Sequence, residues 1–166
     1  MNVHFKTPLG FFDTVRADVR RPHTFAAERV GFVLAGAAAA GPDVLLLARG
    51  YLPVEDGDYL YEPRVGAMIG PAGIRKALQE AYRTCSGLFH IHMHEHRGQP
   101  LFGSIDRRES SRFVPSFFNA SPKVPHGVLL LSADAACGLV WVTPKAGPRV
   151  LDSITWPGLP RKGALA

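Results

Sequence analysis

Two cysteines in 166 residues, Cys85 and Cys137, stand far apart in the chain and form no Cys-x-x-Cys pair. That spacing excludes a disulfide-stapled scaffold and a cysteine-based zinc knuckle; both thiols lie near apolar residues, so buried free thiols are expected. No uninterrupted apolar run approaches the ~18 residues that a membrane-spanning helix requires. The segment from Met1 to Pro8 lacks the basic-then-apolar layout of a secretory signal, and a cytoplasmic location is the expectation. Concentrated charge is also missing. Lys and Arg number 19 against 14 Asp and Glu, for a net charge of +5, but Arg16, Arg20, Arg21, Arg75, Lys76, Arg83, Arg107, Arg108 and Arg112 are dispersed. A nucleic-acid groove would interleave aromatics with clustered basic residues, so this charge reads as solvated surface, with neither nucleic acid nor membrane as a partner. Repeats, long linkers and compositional breaks are absent too. One domain over residues 1–156 is expected, with residues 157–166, rich in Gly, Pro and basic residues, as a loose tail.

What is present is organised by period. Residues 28–37 and 43–50 read as neighbouring strands joined at Gly41-Pro42, and residues 59–68 as a third strand after the turn-forming Asp56-Gly57-Asp58. Residues 71–84 read as a helix: Pro71 suits the first helical position, Ile74, Leu78 and Tyr82 recur at helical spacing, and Gly87 supplies the stop. Residues 88–92 then switch to a period of two. Ser104 can cap a second helix that begins near Ile105 and carries Asp106 in its first turn, with Pro115 expected to break or kink it. Residues 127–132 and 137–143 form a hairpin-like strand pair. Strands and helices in this order predict a single-domain α/β fold, a mixed β-sheet flanked by helices.

Four of the seven histidines fall at alternate positions, in His90-Ile91-His92-Met93-His94-Glu95-His96. Alternation on a strand puts such residues on one face, so their imidazoles can converge. Three residues can make a metal site: His92, His94 and Asp106, the last returned by a loop containing Gly98, Pro100 and Gly103. Two imidazoles and a carboxylate around Zn2+ leave one tetrahedral position open to water, the layout of a hydrolase. Such a site needs a general acid/base, and Glu28, at a strand start beside apolar residues that can raise its pKa, is the candidate.

His92-x-His94 followed by Asp106, twelve positions after the second histidine, resembles the JAMM motif of the JAB/MPN metalloproteases. Glu28-Arg-Val-Gly31 followed by Gly36 resembles that family's upstream Glu-x-x-Gly segment, and the resemblance extends over roughly residues 20–145. It implies a JAB/MPN-like fold with a cytidine-deaminase-like layer arrangement. It implies further that His92, His94 and Asp106 ligate zinc, that Glu28 is the acid/base, and that the bond cleaved follows the C-terminus of ubiquitin or a ubiquitin-like protein. The compact form resembles bacterial members, which are paired with ubiquitin-like conjugation or sulfur-carrier systems, some of them in phage defence. The conjugation enzymes of such a system are then further partners.

The chain departs from the family pattern twice. Glu95 stands where the family carries proline directly after the second histidine. The family's oxyanion-steadying serine should fall three residues before the aspartate, where this chain has Gly103 with Ser104 adjacent. Either Ser104 serves, shifted by one, or backbone N–H groups at the helix start do. Two other readings stand beside this one. His90-x-His92-x-His94 also resembles the histidine-triad signature of nucleotide hydrolases, which need no metal, although Glu95 and His96 occupy positions that the signature keeps apolar. A non-catalytic MPN-like module that only binds or scaffolds partners is the other. His90 is expected to be structural, and His96 and Glu95 to be polar loop residues near the site.

Overall fold

Eight strands form one sheet in the computed structural model, which describes residues 1–23, 26–62 and 64–157. In chain order these are β1 (Val3–Lys6), β2 (Gly31–Ala40), β3 (Asp43–Pro53), β4 (Gly87–Met93), β5 (His126–Leu131), β6 (Ala136–Trp141), β7 (Arg149–Val150) and β8 (Ser153–Thr155). Across the sheet they run β7-β6-β5-β4-β2-β3-β1-β8. The sheet is mixed: β1 is parallel to β3 and β8, β4 is parallel to β5, and the remaining pairs are antiparallel. Three helices pack on it, α1 (Phe11–Val19), α2 (Pro71–Arg83) and α3 (Ser104–Phe117). The expected class, α/β with a mixed sheet flanked by helices, is the one observed.

The sorting of the helices follows from β4, which lies between β2 and β5. Its residues Phe89, Ile91 and Met93 join a core with Val33, Leu46 and Leu129 and with Phe12, Val15 and Val19 of α1. Leu88, on the other parity, joins Phe32, Val128 and Leu130 in a second core with Ala77 and Ala81 of α2 and Val114 and Phe117 of α3. So α1 covers one face, and α2 with α3 covers the other. Burying each large side chain here contributes roughly 1.5–3 kcal/mol, which fixes the register of β4 and with it the side on which its histidines emerge.

Several expectations are corrected. The described residues of 59–68 form no strand; the segment is tied down by one antiparallel bridge between Tyr59 and Ile69 and by the Tyr59 hydroxyl, which accepts from Val30 N–H at 2.9 Å and donates to Val30 O at 3.1 Å. Pro63, Gly66 and Gly70 suit a ladder poorly, since proline donates no amide and glycine packs no side chain. The strand expected from Glu28 begins at Gly31, leaving Glu28 in the preceding loop. Gly103, not Ser104, is the N-cap of α3, and Asp106 Oδ2 accepts the Gly103 N–H at 2.9 Å. Pro115 lies inside α3 without ending it. Proline has no N–H to bond the carbonyl of Ser111, and the helix stops two residues after Pro115, at Phe117. Cys85 is exposed and Cys137 half-buried; both are free thiols, so the expectation of burial fails for Cys85.

Strand β1, helix α1 and the short strands β7 and β8 were not anticipated. The pattern for α1 exists, with Phe12, Val15, Arg16 and Val19 buried at helical spacing, but Gly10 at its N-cap supplies no side-chain oxygen to announce it. Of the expected tail, residues 158–166 lie outside the described residues. Among the described residues, no helix is long and apolar enough to cross a membrane.

Candidate metal centre

Strand β4 delivers the histidines in a row. His90 and His92 project to the α2/α3 face, and His94 follows one residue beyond the strand, where its backbone N–H bonds Leu131 O at 2.9 Å. Ring centroids step along the row at 5.7 Å from His90 to His92, 5.4 Å to His94 and 6.1 Å to His96. Asp106 arrives from the first turn of α3 with its two oxygens divided between tasks. Oδ2 is held by the Gly103 amide, and Oδ1 lies 3.7 Å from His92 Nε2.

One donor atom from each of His92, His94 and Asp106 lies within 4.8 Å of the others. Tetrahedral zinc with bonds near 2.0–2.1 Å places its donors about 3.4 Å apart, so only a small closure separates these side chains from coordination. The fit is sharpened by His92. The residue is buried, yet neither ring nitrogen has a hydrogen-bond partner. An unsatisfied buried polar group costs roughly 1–3 kcal/mol, and a cation would satisfy the Nε2 that faces Asp106. Burial also pushes the His92 pKa down to about 4, against the raising effect of Asp106 and with a further lowering by His94. The neutral ring is the form that ligates metal. These residues fit zinc.

His90 is structural, as expected. Its ring sits edge-on between Phe32 at 5.7 Å and Phe113 at 5.3 Å, and burial, then the neighbouring His92, takes its pKa down to about 3. Phe102, buried with its ring 6.4 Å from His92, adds an apolar wall that the sequence pattern did not single out. His126, for which the sequence suggested no partner, bonds Leu88 N–H through Nδ1 and Ser121 O through Nε2, both at 2.9 Å. The tautomer follows: Nε2 carries the proton.

Glu28 is half-buried ahead of β2, its N–H bonded to Gly66 O at 3.0 Å. Its carboxylate lies directly against Gly66, where a Cβ would overlap it. Burial raises its pKa, and the negative charge of Asp106 raises it further, so Glu28 stands within electrostatic reach of the metal ligands. The anticipated direction of the shift is found, with a contribution from Asp106 that sequence alone did not suggest. Beside it opens a cavity of about 240 Å3 whose walls include Arg20, His23, Met93 and Glu95. Glu95, in the position after His94, is exposed and faces Arg20 with 3.5 Å between Oε1 and Nε; His96 is exposed and bonds Arg97 O through Nδ1.

The structure thus brings His92, His94 and Asp106 together and places Glu28 within reach of their charge. Ser104 is exposed at the first position of α3, and the first-turn N–H groups beside it, which lack helical acceptors, are the other available donors. The importance of Gly66 carried no sequence signal, since a glycine outside a turn signature does not reveal what packs on it. Comparison of the chain with protein-family models and with curated proteins finds no match, so its functional assignment rests on these residues and their geometry.

Proposed function

We propose that this chain is a zinc-dependent peptidase of the JAB/MPN type, hydrolysing the peptide or isopeptide bond after the C-terminus of a ubiquitin-like protein in a bacterial conjugation pathway. The observation that carries the proposal is the convergence of His92, His94 and Asp106 around a buried imidazole with no partner on either nitrogen. The resemblance of the Glu28, His92, His94 and Asp106 pattern to the JAMM motif supplies the reaction class, the substrate class and the JAB/MPN-like form of the fold.

His92, His94 and Asp106 would hold the zinc. Bound there, the ion supplies Lewis acidity that polarises the scissile carbonyl and acidifies water. Glu28, with its pKa raised by burial and by Asp106, accepts a proton from the attacking water and returns it to the leaving amine. The amides at the start of α3, or the Ser104 hydroxyl beside them, steady the developing oxyanion. Phe102 excludes water from the ligand side of His92. Because the Glu28 pKa is raised, the acid limb of the rate profile falls above the ordinary carboxylate range, and activity is lost as pH drops through it.

Glu28→Gln tests this assignment. The variant is expected to keep one zinc per chain by elemental analysis while cleavage of ubiquitin-like fusion proteins falls roughly 10²- to 10⁴-fold. Unchanged turnover would overturn the acid/base role. Zinc without cleavage in the wild type, across a panel of such fusions, would favour a binding module instead. Absence of tight zinc would remove the metal reading and leave the histidine-triad one standing.

A further inference from the structure

Of the three metal donors, two are fixed by regular structure: His92 by the centre of the sheet and Asp106 by the first turn of α3. His94 is not. It stands at the start of the segment 94–99, which leaves the sheet and is held by hydrogen bonds to the turn between β5 and β6. Ala133 N–H bonds His96 O at 2.8 Å, Gly98 N–H bonds Asp134 Oδ1 at 2.7 Å, and the Ser132 hydroxyl bonds Gly98 O at 2.7 Å. The turn is itself closed by Ser132 N–H to Ala135 O and by Ala135 N–H to Ser132 Oγ, both at 3.0 Å.

That turn is gripped from the far face of the sheet. Arg16 of α1, only 3% exposed, donates from Nε to Ser132 O at 2.9 Å and from Nη2 to Ala135 O at 3.3 Å. Within α1 the guanidinium lies over the Phe12 ring, 5.8 Å from its centroid, a modest attraction that does not offset its burial. Phe12, Val15 and Val19 already anchor the helix, and the acidic neighbour, Asp13, is largely exposed at 3.6 Å. Burying a guanidinium is costly, and an apolar side chain would hold the helix at lower cost. What arginine adds is a fork with two donors in fixed geometry, here spanning both ends of one turn.

We propose that Arg16 is a positioning residue for the metal centre: acting through the Ser132–Ala135 turn, it sets the place of the segment that carries His94 and so tunes metal affinity. The inference rests on the metal-centre reading above. It connects α1, which lies on the opposite face from Asp106, to the one donor of the three that lies outside a named strand or helix. Partners of metal ligands that act at one remove commonly change affinity by about 10–100-fold.

The test is zinc affinity of the full-length apo-protein, measured by competition with a chromophoric chelator well below the unfolding temperature. Arg16→Met should weaken zinc binding roughly 10-fold or more, and Arg16→Lys, which can reach one carbonyl, should recover part of it. Val15→Ala, a neighbouring core truncation on the same helix, should lower the Tm but leave zinc affinity unchanged. Asp134→Ala removes an exposed carboxylate with little risk to folding and should weaken affinity several-fold, so it decides the matter even where Arg16→Met does not fold. Wild-type affinity in Arg16→Met, or in Asp134→Ala where Arg16→Met does not fold, would overturn the relay while leaving the metal centre intact. Equal weakening in Val15→Ala would also overturn it, by showing that any loss of stability has the same effect. A wild-type protein that binds no zinc would overturn the metal-centre reading and this inference together.

Discussion

The two faces of strand β4 solve the same problem in opposite ways. On one, Phe89, Ile91 and Met93 join a hydrocarbon core, and α1 closes over them. On the other, half-buried His90 sits between Phe32 and Phe113, and His92 is carried into a buried place where it has no hydrogen-bond partner. The first face gains stability from burial. The second gives some of it up, because a desolvated imidazole has exchanged water for nothing. That cost at one strand position is the ground on which a metal is proposed there.

His92→Ala should separate the faces most completely. We expect loss of stoichiometric zinc and of activity, read by elemental analysis and fusion cleavage; retained zinc would remove His92 from the ligand set. Ile91→Ala, one residue away on the hydrocarbon face, should do the reverse. It should cost about 2–5 kcal/mol in urea unfolding while zinc stoichiometry in the folded protein stays unchanged.

The faces should also differ in pH dependence. His90 is depressed to about 3 in the fold, whereas an unfolded-chain histidine titrates near 6.5. Below that value the unfolded state binds a proton that the folded state refuses. Stability contributed by the neutral ring is therefore complete above about pH 6.5 and declines as pH falls towards 3, by up to about 1.4 kcal/mol per pH unit. His90→Phe, which keeps an aromatic ring between Phe32 and Phe113, should flatten the dependence of the urea midpoint on pH between 7 and 4. An unchanged slope would mean that His90 is not the titrating group. The smallest effect is expected at the rim, where Glu95→Ala removes an exposed pair with Arg20 and should alter stability by less than about 1 kcal/mol.

Much of the centre was legible in the chain because its key spacings are short. The alternation of His90, His92 and His94 needs only a strand, and Asp106 needs only a helix start to be placed at its N-terminal turn. The same locality explains the errors. Ser104 looks like the better cap, yet Gly103 takes that position, because the carboxylate of Asp106 binds its amide and the approaching loop has already chosen the turn. Residues 59–68 carry enough apolar character for a strand, but Tyr59 pairs through a single bridge to Ile69 and through its hydroxyl to the Val30 backbone rather than in a neighbouring ladder. Helix α1 escaped notice because nine residues with a glycine cap give a weak local signal, and its burial is settled by a sheet face assembled from distant strands.

The sequence by itself determined the candidate donor set, the parity that aligns its histidines and the kind of fold that can hold them. These follow from residue chemistry and from periods of two and 3.6, which act over a few residues. Only the tertiary structure decided that Glu28 would press against Gly66 and stand within reach of Asp106, that His92 would lose every hydrogen-bond partner, and that the segment carrying His94 would hang from a turn gripped by Arg16. Each of these joins residues far apart in the chain, and such contacts are selected by the burial of the whole sheet rather than by any local pattern.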